Sequence, residues 1–67
     1  MRRNAYSRQS GILQLLAEGR SAKQIAESLA ISARTVEFHK YQMMEAYGLH
    51  RTAELVHFAI KHGIVTI

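Results

Sequence analysis

The sequence predicts an all-α fold, a four-helix bundle that contains a helix-turn-helix. The 67 residues include no proline and only four glycines, so few positions interrupt a helix. Apolar side chains recur with helical spacing in four consecutive segments. Only Ala30 and Ile31 separate the second segment from the third, and a short helix, a tight turn and a longer helix are typical of a helix-turn-helix. Residues 1–67 are therefore expected to form one small domain.

The first helix is predicted over residues 8–18. Ser7 is its expected N-cap, because a serine hydroxyl can accept a hydrogen bond from the first turn, and Gly19 is its expected end. Its apolar residues are Ile12, Leu13, Leu15 and Leu16. Residues 1–5 show no periodicity and are predicted to be a linker or tail.

The second helix is predicted over residues 21–29. Ser21 at the N-cap and Gln24 three residues later form a capping box, in which each side chain bonds to the backbone of the other residue. One short apolar face consists of Ala22, Ile25, Ala26 and Leu29.

The third helix, predicted over residues 32–47, is expected to begin at the cap Ser32 and to end before Gly48. Spacing of 100° per residue places Val36, Met43 and Tyr47 on a buried stripe flanked by His39 and Ala46. The opposite face carries Arg34, Glu37, Phe38 and Tyr41, with Thr35 and Gln42 at its edge. Polar and aromatic side chains on the solvent side favour a DNA recognition helix. The alternative is that the aromatic side chains are partly buried against a neighbouring loop.

The fourth helix, predicted over residues 52–62 and closed by Gly63, has more apolar surface than one face needs. Leu55, Phe58 and Ala59 form one stripe. A second stripe, formed by Ala53, Val56 and Ile60, lies more than about 100° away and predicts a dimer interface, with Val56 the favoured contact. The alternative is that Ile64, Val65 and Ile67 fold back over this second stripe.

The composition favours an anionic partner and argues against catalysis. Formal net charge is +4 and the sequence pI is near 10.0, which is typical of domains that bind nucleic acid. The chain has no cysteine, no His-Glu-x-x-His motif and no glycine-rich phosphate loop, so we expect no enzyme activity, metal or cofactor. The longest apolar runs are too short for a membrane span, and a cytoplasmic protein without membrane contact is expected.

A set of residues spread over nearly the whole chain resembles one known family. They are Leu13, Leu15, Ala17, Gly19, Lys23, Ile25, Ala26, Leu29, Ser32, Thr35, Val36, His39, Gly48, Ala53, Glu54, Leu55, Val56, Ala59 and Gly63. With this pattern the chain resembles the LuxR/FixJ-type (GerE-like) helix-turn-helix domain of bacterial transcription regulators, from about Tyr6 to Val65. The resemblance implies sequence-specific binding of double-stranded DNA by the third helix and a weak homodimer through the fourth, and hence an inverted-repeat operator. It also implies the C-terminal output domain of a two-component response regulator, with RNA polymerase as a further partner.

The resemblance also assigns roles to single positions. Glu37, Phe38 and Tyr41 occupy the family's base-contacting positions, and Arg34 shares their outward face. The expected phosphate contacts are Lys23, Ser32, Thr35 and Lys40.

The chain departs from the family pattern in three respects. Glu37 stands where many members have Lys or Arg, although the FixJ-like branch has Glu there. The family's opening capping box is replaced by Tyr6, Arg8 and Gln9, and Arg51 stands where Ser or Asn often caps the fourth helix, leaving Thr52 as a displaced cap.

Two other functions fit parts of the sequence. A protein-interaction module would use the apolar faces of the third and fourth helices, and a sigma-factor-like promoter-binding domain has a similar helix-turn-helix. Gly19, the pair Thr35-Val36 and the segment 53–63 favour the LuxR-type interpretation over the second.

Overall fold

The computed structural model describes the backbone of residues 5–65 and the side chains of residues 8–65, and it confirms the all-α prediction. Its four helices are α1 (Ala5–Ala17), α2 (Ala22–Leu29), α3 (Ala33–Tyr47) and α4 (Thr52–Lys61). α1 packs against each of the other three, α2 packs against α3, and α3 packs against α4. No helix within residues 5–65 is long and apolar enough to cross a membrane.

The predicted start of α1 is wrong by three residues. The helix already includes Ala5, so Ser7 lies inside it and is not its N-cap. No proline or glycine precedes Gly11, and a helix continues through a serine when nothing breaks it. Of the predicted tail, residues 1–4 lie outside the described part of the chain and Ala5 belongs to α1.

The capping box at the start of α2 is confirmed. The Ser21 backbone N–H donates to Gln24 Oε1 at 2.9 Å, and the Gln24 N–H donates to Ser21 Oγ at 3.2 Å. The C-cap of α2 is Ala30, which takes the left-handed conformation with φ 59° and ψ 42°. The next residue, Ile31, returns its N–H to the Ala26 carbonyl at 3.0 Å. This reversal directs the chain into α3 within three residues.

Local signals also place both ends of α3. Ser32 Oγ accepts from the Thr35 N–H at 3.0 Å, which confirms Ser32 as the N-cap. Gly48 closes the helix at φ 70°, and the following Leu49 N–H bonds to the Met44 carbonyl at 2.8 Å. A positive φ of this size is strained for residues with a Cβ atom, so glycine is the residue that suits the position.

α4 begins at Thr52 as predicted, but its cap differs from the prediction. Thr52 is the first helical residue rather than the cap, and the Arg51 side chain makes no capping bond. Glu54 replaces the cap, because its Oε1 accepts from the N–H groups of His50 at 2.8 Å and Arg51 at 3.2 Å. The His50 bond and, more weakly, the Arg51 bond and the two nearby positive charges lower the pKa of the Glu54 carboxyl against an opposing effect of burial.

All four helices and the residues after α4 contribute to one apolar core. Its buried members are Ile12, Leu13, Ile25, Ala26, Val36, Met43, Met44, Leu55, Ala59 and Val65. The stripe predicted for α3 is correct for Val36 and Met43 and wrong for Tyr47, which is 42% exposed at the end of the helix. Met44, which the periodicity did not place on the buried stripe, lies inside because α3 is covered over a wider arc than one narrow stripe.

The two apolar stripes of α4 have different surroundings. Leu55 and Ala59 are fully buried, and Phe58 is half-buried. On the second stripe Ala53 is exposed, Val56 is half-buried and Ile60 is 44% exposed. Val65 folds back into the core and Ile64 packs against it, but both Ala53 and Ile60 keep their exposure. Ile67 lies outside the described residues.

Candidate nucleic-acid interface

The outward surface of α3 carries two large exposed aromatic side chains. Phe38 is 59% exposed and Tyr41 is 61% exposed, so no neighbouring loop covers most of either ring. Arg34, one turn before Phe38, is also exposed. We call Arg34, Glu37, Phe38 and Tyr41 the outer face of α3. Val36 and Met43 on the opposite side anchor the helix in the core, which holds the outer face towards solvent.

Glu37 and Lys40 are joined in an ion pair on α3. Lys40 Nζ lies 2.8 Å from Glu37 Oε1, and the same ammonium lies 5.3 Å from the centre of the Tyr41 ring. The Glu37 side chain is 41% exposed and that of Lys40 only 15%. Glu37 is therefore at the edge of the outer face. Lys40 is less exposed than expected for a side chain that contacts a phosphate.

The other candidate phosphate contacts lie at the first turns of α2 and α3. Lys23 is exposed in the first turn of α2 and makes no ion pair among the described residues. At the start of α3 the Ser32 hydroxyl donates to Thr35 Oγ1 at 2.9 Å. The Thr35 hydroxyl can therefore donate its own hydrogen outwards. Helix N-termini favour anions, since backbone N–H groups and the helix dipole both point towards them.

Two contacts that the sequence did not predict hold α3 against its neighbours. Gln9 of α1 donates to Gln42 Oε1 at 3.4 Å, at the edge of the outer face. At the other end the Tyr47 ring stacks on Phe58 of α4, with centroids 4.4 Å apart. The Phe58 ring in turn lies 4.3 Å from His62. Periodicity within one helix gives no signal for such pairs, because they depend on how two helices meet.

His39 lies where the sequence placed it, beside the buried stripe. Its Nδ1 is buried without a hydrogen-bond partner, and its ring meets Phe38 edge-on with centroids 5.8 Å apart. The Phe38 ring therefore has a side chain supporting it on the inner side. Among the described residues no three His, Asp or Glu side chains are grouped as metal ligands would be.

Comparison with known proteins gives one consistent result. Residues 7–59 match the family described as bacterial regulatory proteins, luxR family. The chain is 41% identical over 61 residues to the uncharacterized response regulatory protein YgeK of Escherichia coli (strain K12), a match that covers 91% of this chain and 42% of that protein.

Two further relatives are transcriptional or oxygen regulators by name. Identity to the transcriptional regulatory protein MctR of Rhizobium johnstonii is 42% over 59 residues, covering 88% of this chain and 28% of that protein. Identity to the oxygen regulatory protein NreC of Staphylococcus aureus (strain JH9) is 46% over 58 residues, covering 87% and 27%. The chain thus spans less than half the length of each of these relatives.

The family match includes the whole of α2, the turn and α3, the part of the fold whose geometry is that of a helix-turn-helix. The family consists of DNA-binding transcription regulators and is not a class of enzymes. This chain therefore belongs to the luxR family of bacterial regulatory proteins, and it is a LuxR-type helix-turn-helix DNA-binding domain.

Proposed function

We propose that the domain binds duplex DNA by placing the outer face of α3 in the major groove. The observation that supports this most directly is the pair of exposed rings, Phe38 and Tyr41, on a helix whose other side is anchored in the core. The major groove of B-DNA is wide enough for one α-helix, and its base edges differ for each base pair. A rigidly held helix with polar and aromatic side chains on its free side suits that groove.

Single residues on the outer face then have distinct partners. Phe38 can contact a thymine methyl group, and a Glu37 carboxylate oxygen can accept from the exocyclic amine of cytosine. Arg34 can donate two hydrogen bonds to the edge of guanine, and Tyr41 extends the contact surface towards the end of α3. Specificity comes from these groups, since contacts to phosphates carry no base information.

Phosphate contacts are assigned to the first turns of α2 and α3. Lys23 supplies a charge and Thr35 supplies a hydroxyl hydrogen beside a helix N-terminus, whereas Ser32 would have to turn its hydroxyl away from Thr35 Oγ1 to donate to a phosphate. Lys40, the remaining candidate, has its ammonium on Glu37 and would have to leave that partner to reach a phosphate.

Replacing Lys23 with alanine tests the docking orientation. Lys23→Ala should weaken binding about equally on all sequences. The slope of log K against log salt concentration should become less steep by about 0.9, the value for one lost phosphate contact. Lys61→Ala, which removes the same charge at the far end of α4, is the matched control and should change both quantities less. An unchanged affinity and slope for Lys23→Ala would contradict the orientation.

The second apolar stripe of α4 is proposed to pair two copies of the domain on DNA. Three modest side chains, Ala53, Val56 and Ile60, make a small interface, and association costs at least several kcal/mol of lost freedom. Free domains should therefore be mostly monomeric, and adjacent half-sites should bring two copies together. A symmetric pair requires an inverted repeat with half-site centres about 10 base pairs apart.

Val56→Glu tests this interface. The variant should stay a folded monomer and should occupy paired half-sites without cooperativity in a gel-shift titration. If Val56→Glu unfolds the domain while Phe58→Glu only abolishes pairing, the two stripes have the opposite roles.

The short coverage of the relatives suggests the context in which the domain acts. YgeK is named a response regulatory protein and is more than twice as long as the matched region. We infer that the present domain is the C-terminal output domain of a two-component response regulator, with RNA polymerase as its partner on the promoter. Transcription in vitro from a promoter that carries the selected operator measures this: an effect on transcript yield that requires the operator supports it.

The competing function is a protein-interaction module that uses an open groove on α4. The groove is lined by Leu49, Ala53, Glu54, His57, Phe58, Lys61 and His62. Salt dependence distinguishes the two functions, because phosphate-mediated binding weakens steeply with salt and apolar docking does not.

A further inference from the structure

Lys40 occupies an unusual position for a lysine. Its side chain is only 15% exposed, and it lies four residues from both Val36 and Met44, which are buried. Residues four apart share a face of a helix, so the Lys40 methylene stem starts on the core-facing side of α3. Long charged side chains in such places keep the stem against apolar surface and extend the charged end towards water.

The charged end of Lys40 extends to the outer face of α3. Its Nζ contacts Glu37 Oε1 at 2.8 Å and lies 5.3 Å from the Tyr41 ring centre. One ammonium thus contacts two of the side chains that are proposed to touch bases. The second carboxylate oxygen, Glu37 Oε2, makes no hydrogen bond to any residue in the described part of the chain. It can accept a hydrogen bond from outside.

This arrangement has two consequences for Glu37 at a DNA surface. A lone carboxylate is repelled by the phosphates on both sides of the groove, and the paired lysine offsets that charge. The pair also restricts the rotamers of Glu37, so less side-chain freedom is lost when Oε2 meets a base. Both effects help Glu37 to discriminate between bases, whereas an unpaired glutamate would mainly be repelled by the DNA backbone.

We propose that Lys40 is a positioning residue for base recognition: from the core side of α3 it holds Glu37 so that Oε2 accepts from the exocyclic amine of a cytosine. The proposal rests on the DNA-binding mode described above. It differs from the family-derived expectation for Lys40, which is a direct contact with a phosphate.

The test measures base preference and salt dependence on the same set of variants. Selection from a random duplex pool gives the preferred half-site, and competition binding against the three other base pairs at each position gives the discrimination. The variants are Lys40→Met, which keeps an apolar stem and removes the charge, Lys40→Arg, which keeps the charge, and Glu37→Gln. Lys61→Met is the control for charge, and circular dichroism with thermal melts checks that each variant folds.

Lys40→Met should lower discrimination at one base-pair position per half-site by up to about fivefold, which corresponds to the upper end of the coupling measured for exposed ion pairs. Glu37→Gln should alter preference at that same position, and adding Lys40→Met to it should change the preference no further. Lys40→Arg should retain the wild-type preference. In all of these variants the slope of log K against log salt concentration should change by clearly less than the value of about 0.9 for one lost phosphate contact.

Two results would overturn the proposal while leaving DNA binding intact. If Lys40→Met weakens binding equally on all sequences and makes the slope of log K against log salt concentration less steep by about 0.9, Lys40 is a phosphate contact. If it changes neither quantity, Lys40 serves only the packing of α3. If the wild-type chain shows no preference among duplex sequences, the proposed mode of DNA binding fails as well, and that result is visible before any variant is made.

Discussion

The turn between α2 and α3 contains a left-handed alanine, and its replacement by glycine should stabilise the domain. Ala30 has φ 59° and ψ 42°, and it is the one non-glycine residue with a positive φ within residues 5–65. The residue is exposed, so removing its Cβ atom leaves no cavity. Ala30→Gly therefore changes the backbone energy of the turn with little change in packing.

The size of the effect follows from two opposing contributions. An L-residue in the left-handed region costs roughly 1–2 kcal/mol, which glycine does not incur. Glycine makes the unfolded chain more flexible, which offsets roughly 0.4–1 kcal/mol. With the middle of each range, about 1.5 and about 0.7 kcal/mol, the free energy of unfolding should rise by about 0.8 kcal/mol, which corresponds to about 3–6 °C in Tm for a domain of this size.

The assay is thermal and urea unfolding followed by circular dichroism, with Ala46→Gly as the matched control. Ala46 is exposed inside α3, where the same substitution should destabilise by about 0.5–1 kcal/mol. The two variants thus make the same chemical change with opposite expected signs. If Ala30→Gly lowers Tm as much as Ala46→Gly does, the alanine is not strained and the reasoning is refuted.

Three further predictions concern caps and core. The hydrogen bonds that Glu54 accepts lower its pKa, so its contribution to stability is present above the ordinary glutamate pKa of about 4.3 and is lost as the pH falls through the lowered folded pKa. The Tm of Glu54→Gln should therefore vary less between pH 7 and pH 3 than the Tm of the wild type. An equal dependence of Tm on pH in the two proteins would contradict this reasoning. Ser32→Ala removes the α3 cap and should cost about 1 kcal/mol in urea unfolding, with weaker binding to every DNA sequence tested. Leu55→Ala, at a fully buried site, should lower the free energy of unfolding by about 2–5 kcal/mol and leave much of the population unfolded. Ile60→Ala, on the exposed stripe, should change it by less than about 1 kcal/mol. Comparable losses of stability in the two variants would contradict the assignment of the α4 faces.

Features that depend on short-range chemistry were predicted from the sequence alone. The capping box of Ser21 and Gln24, the cap at Ser32 and the stop at Gly48 each involve residues within one turn of a helix end. The exposure of Phe38 and Tyr41 follows from helical periodicity and the burial of Val36 and Met43 on the other side. These signals are local, so no knowledge of neighbouring helices is needed to interpret them.

Departures from the prediction occur where a neighbour or a single backbone torsion decides the outcome. Tyr47 has the period of a buried residue, yet it lies at the end of α3, where it stacks on Phe58 and remains partly exposed. Met44 is buried because the core covers α3 over a wide arc. The left-handed conformation of Ala30 carries no residue-type signal, since glycine or asparagine is the usual choice there.

In the candidate interface, too, some side-chain positions follow from the sequence and others only from the packing of the helices. Periodicity alone placed Arg34, Phe38 and Tyr41 together on the outer face of α3, because their relative positions depend only on the helix repeat. The position of the Lys40 ammonium could not be obtained from the repeat. A stem that begins on the core side can extend towards either edge of the helix, and only the packing around it, together with the carboxylate of Glu37, decides which edge it reaches.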